Sequence, residues 1–250
     1  MSEALETRGT TAMARPSFIK EGSRGSENIQ NTDIKPPALR LAQAMSPEVK
    51  RAEPSYIQGL REGDLFNSIT GQVYGDAPVN FLIINYLGHR NVEFDPNDRN
   101  VVLEADIPDN DPRCSFTTTV VDGKPVKSKP RATQFKDFLI LLLHDGTRPN
   151  ELMTLTLKST QLKKATRLLT VLKLSKLDTF AHLIKGTPTP ERKGNNSWYG
   201  WRFDVVGYPT EQQYFAAEAF YQQMQGKTIA VETEAEPGAA NIPEDDDIPF

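Results

Sequence analysis

Cysteine occurs once in the 250 residues, at Cys114. A single thiol excludes an internal disulfide and cannot assemble a four-cysteine zinc site. The three histidines, His89, His144 and His182, stand far apart, with no Asp or Cys pattern around them that would mark a metal centre or a triad. No Walker-type phosphate loop occurs: Gly226-Lys227-Thr228 has Tyr221 where the earlier glycine is required. Gly-x-Ser-x-Gly and His-Glu-x-x-His are missing as well. Asp106, Asp109 and Asp111 stand beside Pro108 and Pro112 and read as acids that solvate a loop. The chain is therefore expected to be no enzyme and to carry no cofactor or metal. It has no run of about eighteen apolar residues, so no membrane span is expected. Its N-terminus lacks the basic-then-apolar profile of a secretory signal, which points to the cytoplasm.

What is present is charge, unevenly placed. The formal net charge is only −4. Residues 124–193 nevertheless hold fifteen Lys/Arg against five Asp/Glu. Residues 46–123 hold six against thirteen, and residues 232–250 hold seven acids with no Lys or Arg. A basic segment followed by an acidic tail suits a protein that binds a polyanion.

The local patterns are mostly those of strands. Residues 1–35 are rich in Ser, Thr, Gly and Glu with scattered apolar residues, and read as a disordered tail. Residues 36–225 read as one domain. Asp64–Ile69, Val73-Tyr74 and Val79–Leu87 read as strands, Gly88–Arg99 as a polar turn region, and Ser115–Val121 as part of a ribbon. Phe135–Leu143 reads as the strongest strand; Leu152–Leu157 returns after the turn at His144-Asp145-Gly146. Leu162, Ala165, Leu169 and Leu172 fall at helical spacing, with Lys163, Lys164 and Arg167 off that face. Thr179–Lys185 and Trp198–Val206 read as strands, and Glu211–Gln225 as a helix packing through Phe215, Ala219 and Phe220. This element order predicts a mainly β fold with some α: an oligonucleotide-binding (OB)-like β-barrel with a crossing helix and a C-terminal helix, flanked by disordered tails. Residues 226–243 read as a linker and 244–250 as an acidic tip.

That tip is Glu244-Asp245-Asp246-Asp247-Ile248-Pro249-Phe250. Four carboxylates cannot form a core, and a plain solubiliser has no use for a final Ile-Pro-Phe. The aromatic Phe250, carrying the terminal carboxylate, suits an apolar pocket with a cation at its rim. The tip resembles the tail of bacterial single-stranded DNA-binding proteins, in which it recruits replication, repair and recombination enzymes. The stretch Phe135 through Arg167, with Ser197-Trp198-Tyr199-Gly200-Trp201-Arg202-Phe203, also resembles phage-encoded proteins of that type, diffusely over residues 38–225. Some of those relatives carry a cysteine cluster before the equivalent of Phe135, where this chain has only Cys114.

The resemblance implies a protein that coats single-stranded DNA and captures partners through Asp245, Asp246, Asp247, Ile248, Pro249 and Phe250. Binding single strands without sequence preference needs cations along the phosphates and flat side chains for the bases. Lys158, Lys163, Lys164 and Arg167 are the candidates for the first role; Trp198, Tyr199 and Trp201 are those for the second. Lys124, Lys127, Lys129 and Arg131 form a further basic loop. In a strand, Trp201 and Phe203 share a face and fill a core equally well. Two other readings remain open: a phage adaptor that captures host repair proteins without coating DNA, and a recombination mediator or annealing protein. Oligomeric state is also open, a homo-oligomer included.

Overall fold

Residues 35–98, 101–121, 124–146, 148–229, 231 and 233 are described in the computed structural model of the chain. The tail at 1–34, most of the linker and the whole tip lie outside the described residues. Two long antiparallel strands form the centre, β4 (Val79–Phe94) and β8 (Ala132–Leu143), paired from Asn80↔Leu143 to Glu93↔Ala132. β8 is apolar on both faces because both are covered. Phe138, Ile140 and Leu142 join one core, while Leu139 and Leu141 join another. Helix α1 (Leu162–Ser175) covers the first core through Ala165, Leu168 and Leu172. Helix α2 (Glu211–Met224) covers the second through Ala217, with Tyr214, Phe220 and Met224 half-buried. α2 starts at a capping box, in which Thr210 and Gln213 satisfy each other's backbone N–H groups.

β9 (Glu151–Lys158) pairs with β8, and β10 (Leu183–Lys193) with β4 over Ile184–Gly186 only. β11 (Asn196–Gly207) pairs with β10 along its length, giving the order β11-β10-β4-β8-β9. The β10 ladder with β4 stops before Pro188 and Pro190, which have no N–H to continue it. The β10–β11 hairpin therefore runs on past β4 as a two-stranded arm. β5 (Val102–Glu104) pairs with the far end of β4, and β6 (Thr117–Val121) with β7 (Lys124–Ser128) as a separate ribbon. A second sheet holds β1 (Leu39–Leu41), β2 (Leu65–Asn67) and β3 (Val73–Gly75). It meets β9 through a parallel bridge, Ala38↔Thr154, where the Thr154 N–H donates to the Pro37 carbonyl at 2.8 Å.

The fold is thus mainly β with antiparallel sheets and a few helices, as expected, but backbone pairing among the described residues does not close a barrel. β11 ends the strand order on one side and β9 on the other. The arm nevertheless curls over to the second sheet, where a side chain makes the junction. The Gln43 amide donates to the Tyr199 carbonyl at 3.0 Å and accepts from the Tyr199 N–H at 2.9 Å.

Three local expectations are corrected. Gly88–Phe94 continues β4 instead of turning, because Val92 and Phe94 pack on Phe135. Residues 179–181 form a 3-10 turn and the strand begins at Leu183. Phe215 is 55% exposed and Ala219 is exposed as well, so of the three residues expected to pack α2 only Phe220 does so, beside Ala217. Among the described residues, no helix is long and apolar enough to cross a membrane.

Candidate nucleic-acid interface

The chain turns from β9 into α1 through a short 3-10 segment, Ser159–Gln161, at the end of the sheet. α1 has neither a side-chain N-cap nor an acid in its first turn. That turn instead carries Lys163 and Lys164, cations at the positive end of the helix dipole. The arrangement costs a few tenths of a kcal/mol or more unless an anion sits nearby. Lys163 and Arg167 are exposed. Lys136, on β8, donates to the Thr166 hydroxyl of α1 at 2.6 Å, and burial lowers its pKa. Lys158 lies 5.6 Å from the centre of the Phe135 ring, which Arg90 also covers at 4.8 Å. Arg90 itself is held by the buried Asp137 carboxylate at 2.8 Å.

The arm brings the aromatic candidates to the same place. The Trp201 backbone N–H donates to the Gln161 side-chain oxygen at 2.9 Å, tying β11 to the segment just before α1. Glu191, opposite Trp198 in the hairpin, accepts the Trp198 indole N–H at 2.9 Å and forms an ion pair with Lys164. Tyr199 lies half-buried over Gly63: a Cβ there would stand 2.7 Å from its ring. Lys164 and Trp198 are therefore neighbours despite their separation in sequence.

Trp201 is different. It is 4% exposed, stacks on Phe203 at 5.6 Å, and belongs to the α1-side core. Of the two roles open to it in the sequence, it takes the core one, and the stacking candidates reduce to Trp198 and Tyr199. The basic loop forms the β6–β7 ribbon and its exit. There, Lys127 lies 4.3 Å from the centre of the Phe116 ring, and Arg131 pairs with Glu93 at 3.3 Å.

Sequence reasoning missed Gln43, Gln161 and Glu191. Gln43 is a loop amide, Gln161 ends the 3-10 segment before α1, and Glu191 is the one acid beside a basic pair; nothing local marks any of them. It also missed a cleft of about 620 Å³ bordered by Tyr74, Val79, Leu143, His144 and Arg148. Behind it, Glu151 accepts from the Tyr74 hydroxyl at 2.8 Å and the Asn67 amide at 3.2 Å, and binds His144 Nε2 at 2.9 Å. Burial first, and the Glu151 bond second, raise the Tyr74 pKa above its ordinary value. Arg113 is a structural hub, holding Asp111, Glu93 and Glu104 within 2.8 Å. Among the described residues no group of three or more His, Cys, Asp or Glu is placed to hold a metal ion.

The family model described as Pam3 phage gp34-like protein matches residues 8–230. No curated protein and no solved structure matches the chain.

Proposed function

We propose that this chain, which belongs to the Pam3 phage gp34-like family, binds single-stranded DNA at the surface where the arm meets the start of α1. Its tip, in this reading, recruits replication, recombination or repair enzymes. The observation that carries the reading is the meeting of Lys164 with Trp198 through Glu191. A cation for phosphate and a ring for a base, side by side, are the two elements that single-strand binding needs. Support also comes from α1, whose first turn carries two lysines and no acid; such a helix start favours an anion. Lys163, Arg167 and Lys136 extend the basic surface; Lys158, over the Phe135 ring, and Tyr199, over Gly63, stand on the other faces of their strands.

The curled sheet, with α1 over one face and Gln43 joining the arm to the second sheet, is read as a divergent OB-type barrel. A side chain stands in it where a backbone ladder would close the ring. The tip residues Asp245, Asp246, Asp247, Ile248, Pro249 and Phe250 serve capture of partners, with no role in holding the strand.

Titration of the full chain with oligo-dT tests the reading. Tryptophan fluorescence is expected to quench. Affinity is expected to fall steeply with salt, the slope of log K against log salt being about −0.7 for each phosphate neutralised. Salt-independent binding, or none at low salt, would sink it. In that case the adaptor reading, in which the tip captures host proteins and the domain coats nothing, takes its place.

A further inference from the structure

We infer that Glu191 is a built-in stand-in for phosphate, holding Lys164 and Trp198 in reserve until a strand displaces it. The inference rests on the single-strand reading above and names how that site is regulated. Glu191 uses both carboxylate oxygens: Oε1 takes the Lys164 ammonium and Oε2 takes the Trp198 indole N–H. A phosphodiester likewise presents one negative charge on two oxygens. Lys164 has no other ion pair among the described residues, and its side chain is 34% exposed against 20% for Glu191. The pair is therefore at the surface, where an incoming phosphate can compete.

The local build makes room for this carboxylate. Gly200 stands across the hairpin, and a Cβ there would collide with the Glu191 carboxylate and the Gln161 amide. The lysines in the first turn of α1 face an unfavourable dipole with no acid of their own helix to offset it. Glu191, reaching over from the arm, supplies the missing negative charge.

The consequence is coupling. When a phosphate takes Lys164, Glu191 is released, and with it the Trp198 indole, so one event frees a cation and a ring together. Affinity for single strands is held below what the surface alone would give, and a short or weakly charged ligand is disfavoured.

Four full-length proteins test this with oligo-dT over a salt series: wild type, Glu191→Gln, Lys164→Gln and the double variant. Glu211→Gln serves as a control, removing the same charge from α2 on the opposite face of the sheet. Glutamine keeps an acceptor for Trp198 while losing the hold on Lys164. Glu191→Gln is expected to bind several-fold tighter at low salt. Its salt slope should steepen by about 0.7, the increment for one more phosphate on a single strand. Lys164→Gln should weaken binding, and in its background Glu191→Gln should bring no gain, because the two residues act as a coupled pair. Thermal melts confirm that each variant is folded. If Glu191→Gln melts early, the cycle is repeated with Glu191→Ser, for which the same gain and the same dependence on Lys164 are required.

The outcomes separate. If wild type binds with salt dependence but Glu191→Gln gains nothing, the stand-in is wrong and the single-strand reading survives. The stand-in is equally wrong if Glu211→Gln gains as much, or if the gain persists without Lys164. If neither wild type nor Glu191→Gln binds oligo-dT, both ideas fall together.

Discussion

Trp198 and Trp201 are three positions apart on β11 and so project to opposite faces of the hairpin. Trp201 lies over Phe203 and within reach of Gly186, where a Cβ would come 2.9 Å from its ring. Trp198 is half-buried, its indole tied to Glu191. Their truncations should therefore fail in different ways. Trp201→Ala is expected to cost about 3–5 kcal/mol of stability, as large aromatic truncations in a core do, read as a lowered denaturant midpoint. Trp198→Ala is expected to fold and to lose about 1–3 kcal/mol of oligo-dT binding. A Trp198→Ala protein that melts early and binds normally would show the opposite assignment. The alternation of side chains put Trp201 with Phe203 on one face from the sequence. It did not tell which face would be covered, because that depends on α1 arriving from forty residues upstream.

At the scale of elements, β8 and β9 were legible because an apolar run and an alternating run flank a turn. α1 was legible because its small and leucine positions repeat at helical spacing. The second half of β4 was not. Two register shifts, between Ile83 and Asn85 and between Tyr86 and Gly88, change which residues face which core. A strand read by strict alternation is lost at such bulges, and the polar letters after Gly88 then look like a turn. The arm is the other element that resisted reading, since its partners are side chains. Gln43 caps the outer edge of β11 by bonding both backbone groups of Tyr199. Gln43→Ala leaves those groups without their partner. It is expected to cost about 1–3 kcal/mol and to speed hydrogen exchange at the Tyr199 amide, while the amides of β8 stay protected. Unchanged exchange at Tyr199 would mean that the arm is held by its ring over Gly63 and not by Gln43.

For the whole molecule the sequence foresaw a mainly β domain with two helices, but not an open strand order. Pairing between distant strands is decided by curvature and by where prolines end a ladder, and neither leaves a local period to read. Charge is easier to follow at this scale. After α2, Ile229 joins the α2-side core, and the Arg90 guanidinium donates to the Thr233 hydroxyl at 2.6 Å. Arg90 and Lys158 cover the same Phe135 ring. The last described residue before the acidic end thus lies beside the Arg90–Asp137 ion pair. In the proposed function the seven residues from Glu244 to Phe250 act separately from the strand-binding surface. In that reading the four carboxylates are weak competitors of DNA, whose charge density is far higher, and the apolar Ile248, Pro249 and Phe250 are what a partner's pocket takes up. Removing residues 244–250 is therefore expected to leave oligo-dT binding unchanged or slightly tighter at low salt, with the difference vanishing as salt screens it. The same truncation should abolish capture of replication and repair proteins from host lysate. Phe250→Ala should abolish capture alone, because it keeps every charge and empties the pocket. Running the pull-down beside the titration for wild type, truncation and Phe250→Ala decides the matter. A truncation that loses DNA affinity would place the tip in strand binding, and a Phe250→Ala protein that still captures its partners would show that the acids alone suffice.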